Sequence, residues 1–180
     1  MKLVVTGKDT AGVSIIVEDG EPAPVVASGF AALKNTPLWA ADTPPAVPHD
    51  GSRRATKQFF PPPGGQRFFL LTIDPEDPGE PGEPPTTDQI VEFEELFPGL
   101  IETWEPDEPG MHTSQTIDFG IVLSGSVVLE VDGHVERTLR AGDAFVQNGT
   151  RHRWRNPGRT PVSIAVVMVG AIRGEDGPRP

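Results

Sequence analysis

The sequence contains no cysteine and no long apolar run, and its basic residues are few beside the acidic ones. Without cysteine, a disulfide framework, a thiol nucleophile and a thiolate metal site are all excluded. No stretch approaches the roughly 20 apolar residues that a bilayer-spanning helix needs, and the N-terminus lacks the apolar run of a signal peptide. We therefore expect a cytoplasmic protein whose metal ligands, if it binds a metal, come from histidine, carboxylate, amide or water.

Positive charge is also scarce. The chain has 15 Lys and Arg residues against 26 Asp and Glu residues, which gives a formal net charge of -11. An acidic balance argues against nucleic acid and against anionic membrane surfaces as partners. The expected partner is a small-molecule substrate. An acidic substrate is not excluded, because a buried site can carry its own local field.

Proline and glycine are abundant and disfavour long helices. The 180 residues include 21 prolines and 20 glycines, which fits one domain of short strands joined by turns. One helix is predicted at Asp88–Phe97, with Thr87 or Asp88 as its N-cap. The segment 25–39 is ambiguous, segment 41–54 is predicted as a loop, and segment 74–85 is an acidic surface loop. The predicted strands are Leu3–Thr6, Val13–Glu18, Gln66–Ile73, Gly120–Asp132, Val135–Arg140, Asp143–Gln147, Arg151–Arg155 and Val162–Gly170.

These strands indicate an all-β barrel or sandwich. Side chains alternate between the faces of a strand, so residues of equal parity share a face. His112, Ser114 and Asp118 share one parity, Phe145 and Gln147 share another face, and His152 shares a face with Trp154. If the barrel folds these faces together, His112, Asp118 and His152 converge.

Two imidazoles and a carboxylate form a ligand set favoured by non-haem Fe(II), and Zn²⁺, Mn²⁺ and Ni²⁺ also suit it. Gln147 is expected to be a weak fourth ligand or a donor to bound water. Asp118, if it does not bind the metal, is a candidate general base. Taken singly, His112 could be a loop histidine, His152 a core histidine and Asp118 a turn residue at the barrel mouth.

The remaining candidates surround this site. Ser114 is expected in the pocket, and Phe145 and Trp154 either wall the pocket or pack in the core. Arg67 could bind a substrate carboxylate if the N-terminal region packs across the barrel mouth. Asn156 is expected to hold a loop by hydrogen bonds. His49 and His134 are expected at the surface.

Two segments resemble the paired motifs of the cupin superfamily, Gly-x5-His-x-His-x3,4-Glu-x6-Gly and Gly-x5-Pro-x-Gly-x2-His-x3-Asn. In the first motif, His112 and Gly125 match, Asp118 stands in place of Glu, and Ser114 stands in place of the second histidine. In the second motif, the matching residues are Gly142, Gly149, His152 and Asn156. The motif's proline is missing, Gln147 sits near its place, and the spacer is one residue short.

The resemblance implies a jelly-roll β-barrel with a bound divalent metal, and a homodimer formed through strands near the N-terminus. It places the barrel core at residues 106–172 and leaves residues 1–105 as an extension of strands, loops and one short helix that packs on the barrel. The loss of one histidine and the shorter acid should weaken or reshape the metal site.

Three functions are compatible with these residues. The favoured one is a metal-dependent enzyme, with Fe²⁺ preferred, that acts on a small oxygenated metabolite with dioxygenase-type chemistry. The second is a redox-neutral lyase, cyclase or isomerase, such as a decarboxylase or dehydratase, that uses another divalent metal. The third is a non-catalytic small-molecule-binding barrel, because fold alone does not fix function.

Overall fold

The computed structural model describes residues 1–30, 32–76 and 84–174. Apart from one α-helix and two short 3₁₀ turns, the regular elements of these residues are strands, so the fold is all-β as predicted. The helix, α1, is Thr87–Leu96. The strands are β1 Leu3–Lys8, β2 Ser14–Gly20, β3 Leu33–Ala41, β4 Gln66–Ile73, β5 Thr116–Ser124, β6 Ser126–Val131, β7 Val135–Arg140, β8 Ala144–Asn148, β9 His152–Arg155 and β10 Val162–Gly170.

The ten strands form three antiparallel sheets. A five-stranded sheet has the order β3-β4-β10-β5-β8, and a three-stranded sheet has the order β7-β6-β9. The third sheet is the β1–β2 hairpin. Because β4 pairs with β10, the N-terminal third of the chain and the C-terminal strands share one sheet. The predicted boundary between residues 105 and 106 stays a prediction.

The hydrophobic core lies between the two larger sheets. Val122 and Ile164 from the five-stranded sheet are buried together with Val127 from the three-stranded sheet. Leu139 and Trp154 pack against this cluster from β7 and β9. A second cluster forms where α1 contributes Phe93, and its other buried members are Ala27, Phe97 and Leu100.

The helix prediction was correct to within about a residue at each end. The N-cap is Thr86, one residue before the predicted cap, and its side chain accepts a hydrogen bond from the Gln89 backbone N–H. The Gln89 side chain accepts from the Thr86 backbone N–H and completes a capping box. This reciprocal pair explains why the helix begins at Thr87 rather than Asp88.

One strand prediction was wrong. Gly120–Asp132 is not a single strand, because Gly125 has φ +78° and ends β5 before β6 begins. A Cβ at this position would come within 2.9 Å of Val162 Cγ2, so both the backbone angle and the space require glycine. The turn lets β5 and β6 belong to different sheets that face each other across the core.

The remaining predictions have mixed outcomes. The β1–β2 hairpin and the turn at Asp132–His134 are present. The ambiguous segment 25–39 contains the start of β3. The predicted acidic loop at 74–85 falls largely outside the described residues. No helix in the described ranges is both long and apolar enough to cross a bilayer.

Candidate functional site

A cavity of about 170 Å³ lies inside the barrel between the two larger sheets. Its polar side chains are His112, Asp118 and His152, and the rest of its lining is apolar or aromatic apart from Gly110. Three of the four predicted metal ligands therefore face one cavity. A larger cavity of about 470 Å³ lies elsewhere, between the β1–β2 hairpin and the outer side of β3 and β4.

The main chain holds His112 beside His152. His112 lies in the loop before β5, and His152 begins β9. The backbone N–H of each residue donates to the carbonyl of the other, at 3.0 and 2.9 Å. The two imidazole rings consequently lie with their centroids 4.3 Å apart.

Both histidines have a defined tautomer. The His112 Nδ1 atom lies 3.0 Å from the Gly110 carbonyl, and the His152 Nδ1 atom lies 2.9 Å from the Thr150 carbonyl. A carbonyl only accepts, so each Nδ1 carries the proton and donates. Each Nε2 therefore keeps its lone pair, as a metal-ligating imidazole requires.

Both imidazoles are neutral at physiological pH. Burial, followed by the charge of His112, lowers the pKa of His152 to about 4. Burial also lowers the pKa of His112, although the Gly110 carbonyl and the Glu105 carboxylate partly oppose this shift. Neutral rings are the form that binds a cation.

Asp118 is the third polar group of the cavity. It lies on β5, where it pairs with Met168 of β10 on one side and with Gln147 of β8 on the other. Its Oδ1 atom is buried and has no hydrogen-bond partner among the described residues. Burial raises the pKa of Asp118 to about 6, although a hydrogen bond from Thr116 opposes the shift. A buried carboxylate oxygen without a partner is costly and suits a cation or a proton.

The three groups face one cavity but do not form a compact cluster. In the described parts of the chain, no three His, Cys, Asp or Glu side chains lie close enough to hold a metal ion. The donor chemistry nevertheless fits a divalent cation, because two imidazoles with free Nε2 lone pairs and a carboxylate with an unpartnered oxygen belong to residues that line the same cavity. The two histidine rings already lie side by side.

Gln147 and Ser114 do not line the cavity. The Gln147 Nε2 atom donates to the Thr150 carbonyl at 2.9 Å, which is the same carbonyl that accepts from His152. The Ser114 Oγ atom lies 2.8 Å from Thr116 Oγ1. Both residues therefore contact groups that orient the site, Gln147 through the support of His152 and Ser114 through the support of Asp118. Their expected roles as ligand and pocket residue stay predictions.

Phe145 and Trp154 line the cavity, with ring centroids 4.6 Å apart. Phe145 lies on β8 directly opposite Gly120 of β5. Trp154 lies two residues after His152 on β9 and meets the His152 ring edge-on at 6.2 Å. Whether the two rings contact a substrate stays a prediction.

Arg67 does not line the cavity. Its side chain is buried, and its guanidinium forms an ion pair with Asp42 at 2.6 Å. The other guanidinium contacts are backbone carbonyls of Ala41, Gln58, Phe59 and Gln66. Through these contacts Arg67 anchors the N-terminal loops to β4, and its expected role toward a substrate carboxylate stays a prediction.

Asn156 has the structural role expected of it. It is fully buried, and its Nδ2 atom donates to the carbonyls of Ile73 and Thr160, both at 2.9 Å. Its Oδ1 atom accepts from the Gly158 backbone N–H at 3.0 Å. His134 is exposed, as predicted, whereas the side chain of His49 is about one-third exposed and packs edge-on against Trp39.

Sequence reasoning missed two groups of residues around the site. The first group is aromatic residues of the cavity wall from outside the motifs, namely Phe59, Phe60, Phe69 and Trp104. The second is an ion-pair cluster in which Arg151 binds Glu105 through two bonds of 2.7 and 2.6 Å. Arg151 also contacts Glu108 and Asp132 at 2.9 and 3.0 Å. The acidic residues just before His112 were the available signal for this cluster.

The comparisons with known proteins point to one family. A family model described as a cupin domain matches residues 100–169. Oryzines biosynthesis cluster protein J of Aspergillus oryzae is 44% identical over 61 residues, which are 34% of this chain and 34% of that protein. Phomopsin biosynthesis cluster protein C' of Diaporthe leptostromiformis is 46% identical over 88 residues, which are 42% of this chain and 47% of that protein.

A further relative is named a cupin-domain-containing oxidoreductase, srdD of Neurospora crassa. It is 41% identical over 49 residues, covering 27% of this chain and 25% of that protein. The matched segments thus span between a quarter and about half of these curated relatives. Among solved structures, the cupin domain of Schizosaccharomyces pombe Cnp3 aligns with a TM-score of 0.47 and 9% identity, over 94% of this chain and 87% of that one.

The matched segment contains the loop of His112, the strand of Asp118 and the strand of His152. The β-sheet architecture and the motif residues agree with this match. Residues 100–169 are a cupin domain.

Proposed function

We propose that this protein is a metal-dependent cupin enzyme that carries out oxidoreductase chemistry of the dioxygenase type on a small oxygenated organic molecule. One observation carries the proposal. Two neutral imidazoles lie side by side with free Nε2 lone pairs, and the same cavity is lined by Asp118, whose buried Oδ1 atom has no hydrogen-bond partner among the described residues. The names of three relatives, each a cupin-domain-containing oxidoreductase, support the reaction class.

His112 and His152 would hold the cation, and Asp118 would supply a carboxylate oxygen as the third donor. Two histidines and one carboxylate are the ligand set of many non-haem Fe(II) oxygenases, so Fe²⁺ is the favoured ion. A divalent cation there would supply Lewis acidity, and iron would add redox chemistry.

The chain's own residues prepare the site. The apolar lining excludes water, which strengthens every electrostatic interaction with a bound molecule. The Thr150 carbonyl fixes the tautomer of His152, and Gln147 donates to the same carbonyl. The Gly110 carbonyl fixes the tautomer of His112 in the same way.

A redox-neutral lyase or isomerase is the second candidate, favoured by the pKa of about 6 that burial gives Asp118. A carboxyl group with a pKa near the working pH can take and return a proton at its unpartnered Oδ1 atom. In that case the two histidines would hold a redox-inert cation alone. A non-catalytic binding barrel is the third candidate, since no three His, Asp or Glu side chains of the described residues lie close enough together to hold a metal ion.

The deciding experiment is metal analysis of protein purified without chelator, followed by reconstitution with Fe²⁺. We expect close to one equivalent of metal in the wild type and a large loss in His112→Ala and His152→Ala. His134→Ala is the matched control, because its side chain is 80% exposed and lies outside the cavity. If folded His152→Ala protein retained full metal occupancy, the assignment of His152 as a metal ligand would be wrong.

Oxygen uptake then separates the candidates. Consumption of dioxygen on addition of catechols or diketones to the iron-loaded protein supports the dioxygenase. Turnover of a β-keto acid without oxygen uptake supports the lyase. A wild-type protein that binds no added divalent ion supports the binding barrel.

A further inference from the structure

The lining of the barrel cavity carries information on what it binds. It contains six aromatic side chains, namely Phe59, Phe60, Phe69, Trp104, Phe145 and Trp154. Several of them pack edge-to-face or tilted against one another. Phe59 and Phe60 lie 5.1 Å apart at 87°, and Phe145 and Trp154 lie 4.6 Å apart at 51°. Such walls favour a flat ring system, which can stack or meet the rings edge-on.

No lysine or arginine is among the described residues that line the cavity. The arginines that flank the site have acidic partners instead. Arg67 pairs with Asp42 at 2.6 Å, Arg151 with Glu105 at 2.6 Å, and Arg153 with Glu130 at 2.7 Å. A carboxylate or phosphate entering the cavity would therefore lose its hydration without gaining a cationic side chain as partner.

The polar groups of the cavity also offer no hydrogen-bond donor to an anion. Asp118 carries an acidic side chain with an unpartnered oxygen, and the two histidines use their protons on the Gly110 and Thr150 carbonyls. The remaining Nε2 atoms accept hydrogen bonds and do not donate them. A hydroxyl group on a ligand can donate to such acceptors, whereas a carboxylate cannot.

Space for the aromatic wall is provided by a glycine on the neighbouring strand. Phe145 packs over Gly120, where a Cβ atom would come within 2.2 Å of the Phe145 ring. Gly120 has no left-handed backbone conformation, so nothing in its φ angle requires glycine. The absence of a side chain at Gly120 therefore lets the Phe145 ring lie against β5 instead of projecting into the cavity, and this contributes to the width of the cavity.

We infer that the substrate of this site is an uncharged aromatic molecule that carries a hydroxyl group at one end, rather than a carboxylate or phosphate. The inference rests on the proposed function, because it names the substrate class of the same cavity. It restricts the candidate substrates to neutral phenols and similar hydroxylated rings. Small organic acids such as β-keto acids fall outside this class.

The test compares two ligands of nearly equal ring size with the full-length protein. At neutral pH, 2-naphthol is uncharged and 2-naphthoate is an anion. Binding is measured by calorimetry and by quenching of tryptophan fluorescence, since Trp104 and Trp154 line the cavity. The protein is used as purified and after chelation, and the chelated sample decides, because a bound metal would itself attract the carboxylate.

We expect 2-naphthol to bind the chelated protein at least about tenfold more tightly than 2-naphthoate, a difference of about 1.4 kcal/mol. Phe145→Ala should weaken 2-naphthol binding, whereas Phe119→Ala should leave it unchanged. Phe119 is the matched control, because it lies on neighbouring β5 but points outward and is 49% exposed. The wild-type comparison decides even if the Phe145 variant fails to fold.

The inference is overturned if 2-naphthoate binds as tightly as 2-naphthol, or if neither ligand binds the folded chelated protein. These results are separate from those that test the proposed function. If the protein binds 2-naphthol but no divalent ion, the inferred ligand class holds and the proposal of a metal-dependent enzyme is wrong. If the protein binds iron but prefers 2-naphthoate after chelation, the proposed metal site holds and the inferred ligand class is wrong.

Discussion

Gly120 and Phe145 face each other across β5 and β8, and the aromatic ring occupies the space that a side chain at Gly120 would need. The contact is between the inner faces of two paired strands, where neither backbone can move easily. Gly120→Ala should therefore push the Phe145 ring toward Trp154 and into the cavity.

For Gly120→Ala we expect a loss of about 1–3 kcal/mol of unfolding free energy, the usual cost of overpacking a close-packed core. Urea denaturation of the variant and the wild type measures the difference. Gly120→Ala/Phe145→Leu should recover part of the loss, because the smaller side chain leaves room for the Cβ atom. Equal stability of Gly120→Ala and wild type would contradict the close contact.

Glu130 gives the protein a pH dependence that can be predicted in sign. Its side chain is only 1% exposed and pairs with Arg153 at 2.7 Å and with Arg155 at 3.4 Å. The Arg153 hydrogen bonds, followed by that of His134, lower the pKa of Glu130 from 4.5 to about 2. Because the folded-state pKa is depressed, the stabilisation is complete above the unfolded pKa and is lost as the pH falls toward about 2.

Glu130→Gln should accordingly be less stable than the wild type at neutral pH. The difference between the two proteins should shrink as the pH falls below about 4.5 and should nearly vanish near pH 2. Thermal unfolding at several pH values measures it. Glu102→Gln, which replaces an exposed carboxylate in the 3₁₀ turn before the site, is the matched control substitution. A constant stability difference across the acid range would contradict the assignment.

Arg151 ties the loop that carries His112 to the strand that carries His152. Its bidentate contact with Glu105 and its contact with Glu108 hold the segment just before His112. Arg151→Ala should weaken binding of a divalent ion by about tenfold, within the range seen when residues that orient metal ligands are removed. The loss of global stability should be only about 1 kcal/mol, as is typical of partly exposed ion pairs.

A charge swap separates positioning from packing in this cluster. Glu105→Arg and Arg151→Glu should each weaken Co²⁺ binding, measured by absorption titration, and the double variant should recover part of the affinity. High salt should reduce the wild-type advantage, because surface ion pairs are screened. If Arg151→Ala protein bound Co²⁺ as tightly as the wild type, the main-chain hydrogen bonds between His112 and His152 would be sufficient to position His112, and the role given to Arg151 would be wrong.

We propose that the chain forms a homodimer through the outer face of the five-stranded sheet at β5 and β8, rather than through the strands near the N-terminus that the resemblance implies. The outward side chains of β5 are Ile117, Phe119, Ile121 and Leu123, and each is at least 36% exposed. Val146 of β8 extends this face and is 56% exposed. A monomer rarely leaves so large an apolar patch in water. These outward side chains carry no charge. Two copies, each with a net charge of -11, can therefore contact each other here without bringing like charges together.

A second copy fits this face because a row of similar side chains at every second residue is complementary to itself about a twofold axis. Light scattering after size exclusion should show a dimer for the wild type and a monomer for Phe119→Glu. Val135→Glu is a matched control, since Val135 of β7 is 48% exposed but lies on the other sheet. If the wild type is a monomer, the homodimer proposal is wrong and the apolar face is available to a different partner.

Local chemistry explains which parts of the fold could be predicted. The tight hairpin at Asp132–His134 and the cap of α1 are short-range features: the hairpin lies where the sequence indicated, and the N-cap lies one residue before the nearer of the two predicted caps. The break at Gly125 was missed because its cause is a distant neighbour, Val162, which no local pattern reveals. The packing of Phe59 and Trp104 into the cavity depends on tertiary contacts in the same way.

The site shows the same division. The motif spacing located His112, Asp118 and His152, and all three line one cavity. Strand parity could not show that Gln147 turns its amide toward Thr150, or that Arg67 would find Asp42 and four carbonyls. Both contacts depend on the conformation of loops, and loop conformation cannot be derived from the alternation of side chains that identifies strands.

The reciprocal main-chain bonds between His112 and His152 have one further consequence. Because peptide groups join the two segments before any ion arrives, binding of a cation requires little additional ordering of the histidine main chains. One additional methylene in the third donor, as in Asp118→Glu, extends the reach of its carboxylate and should strengthen cation binding.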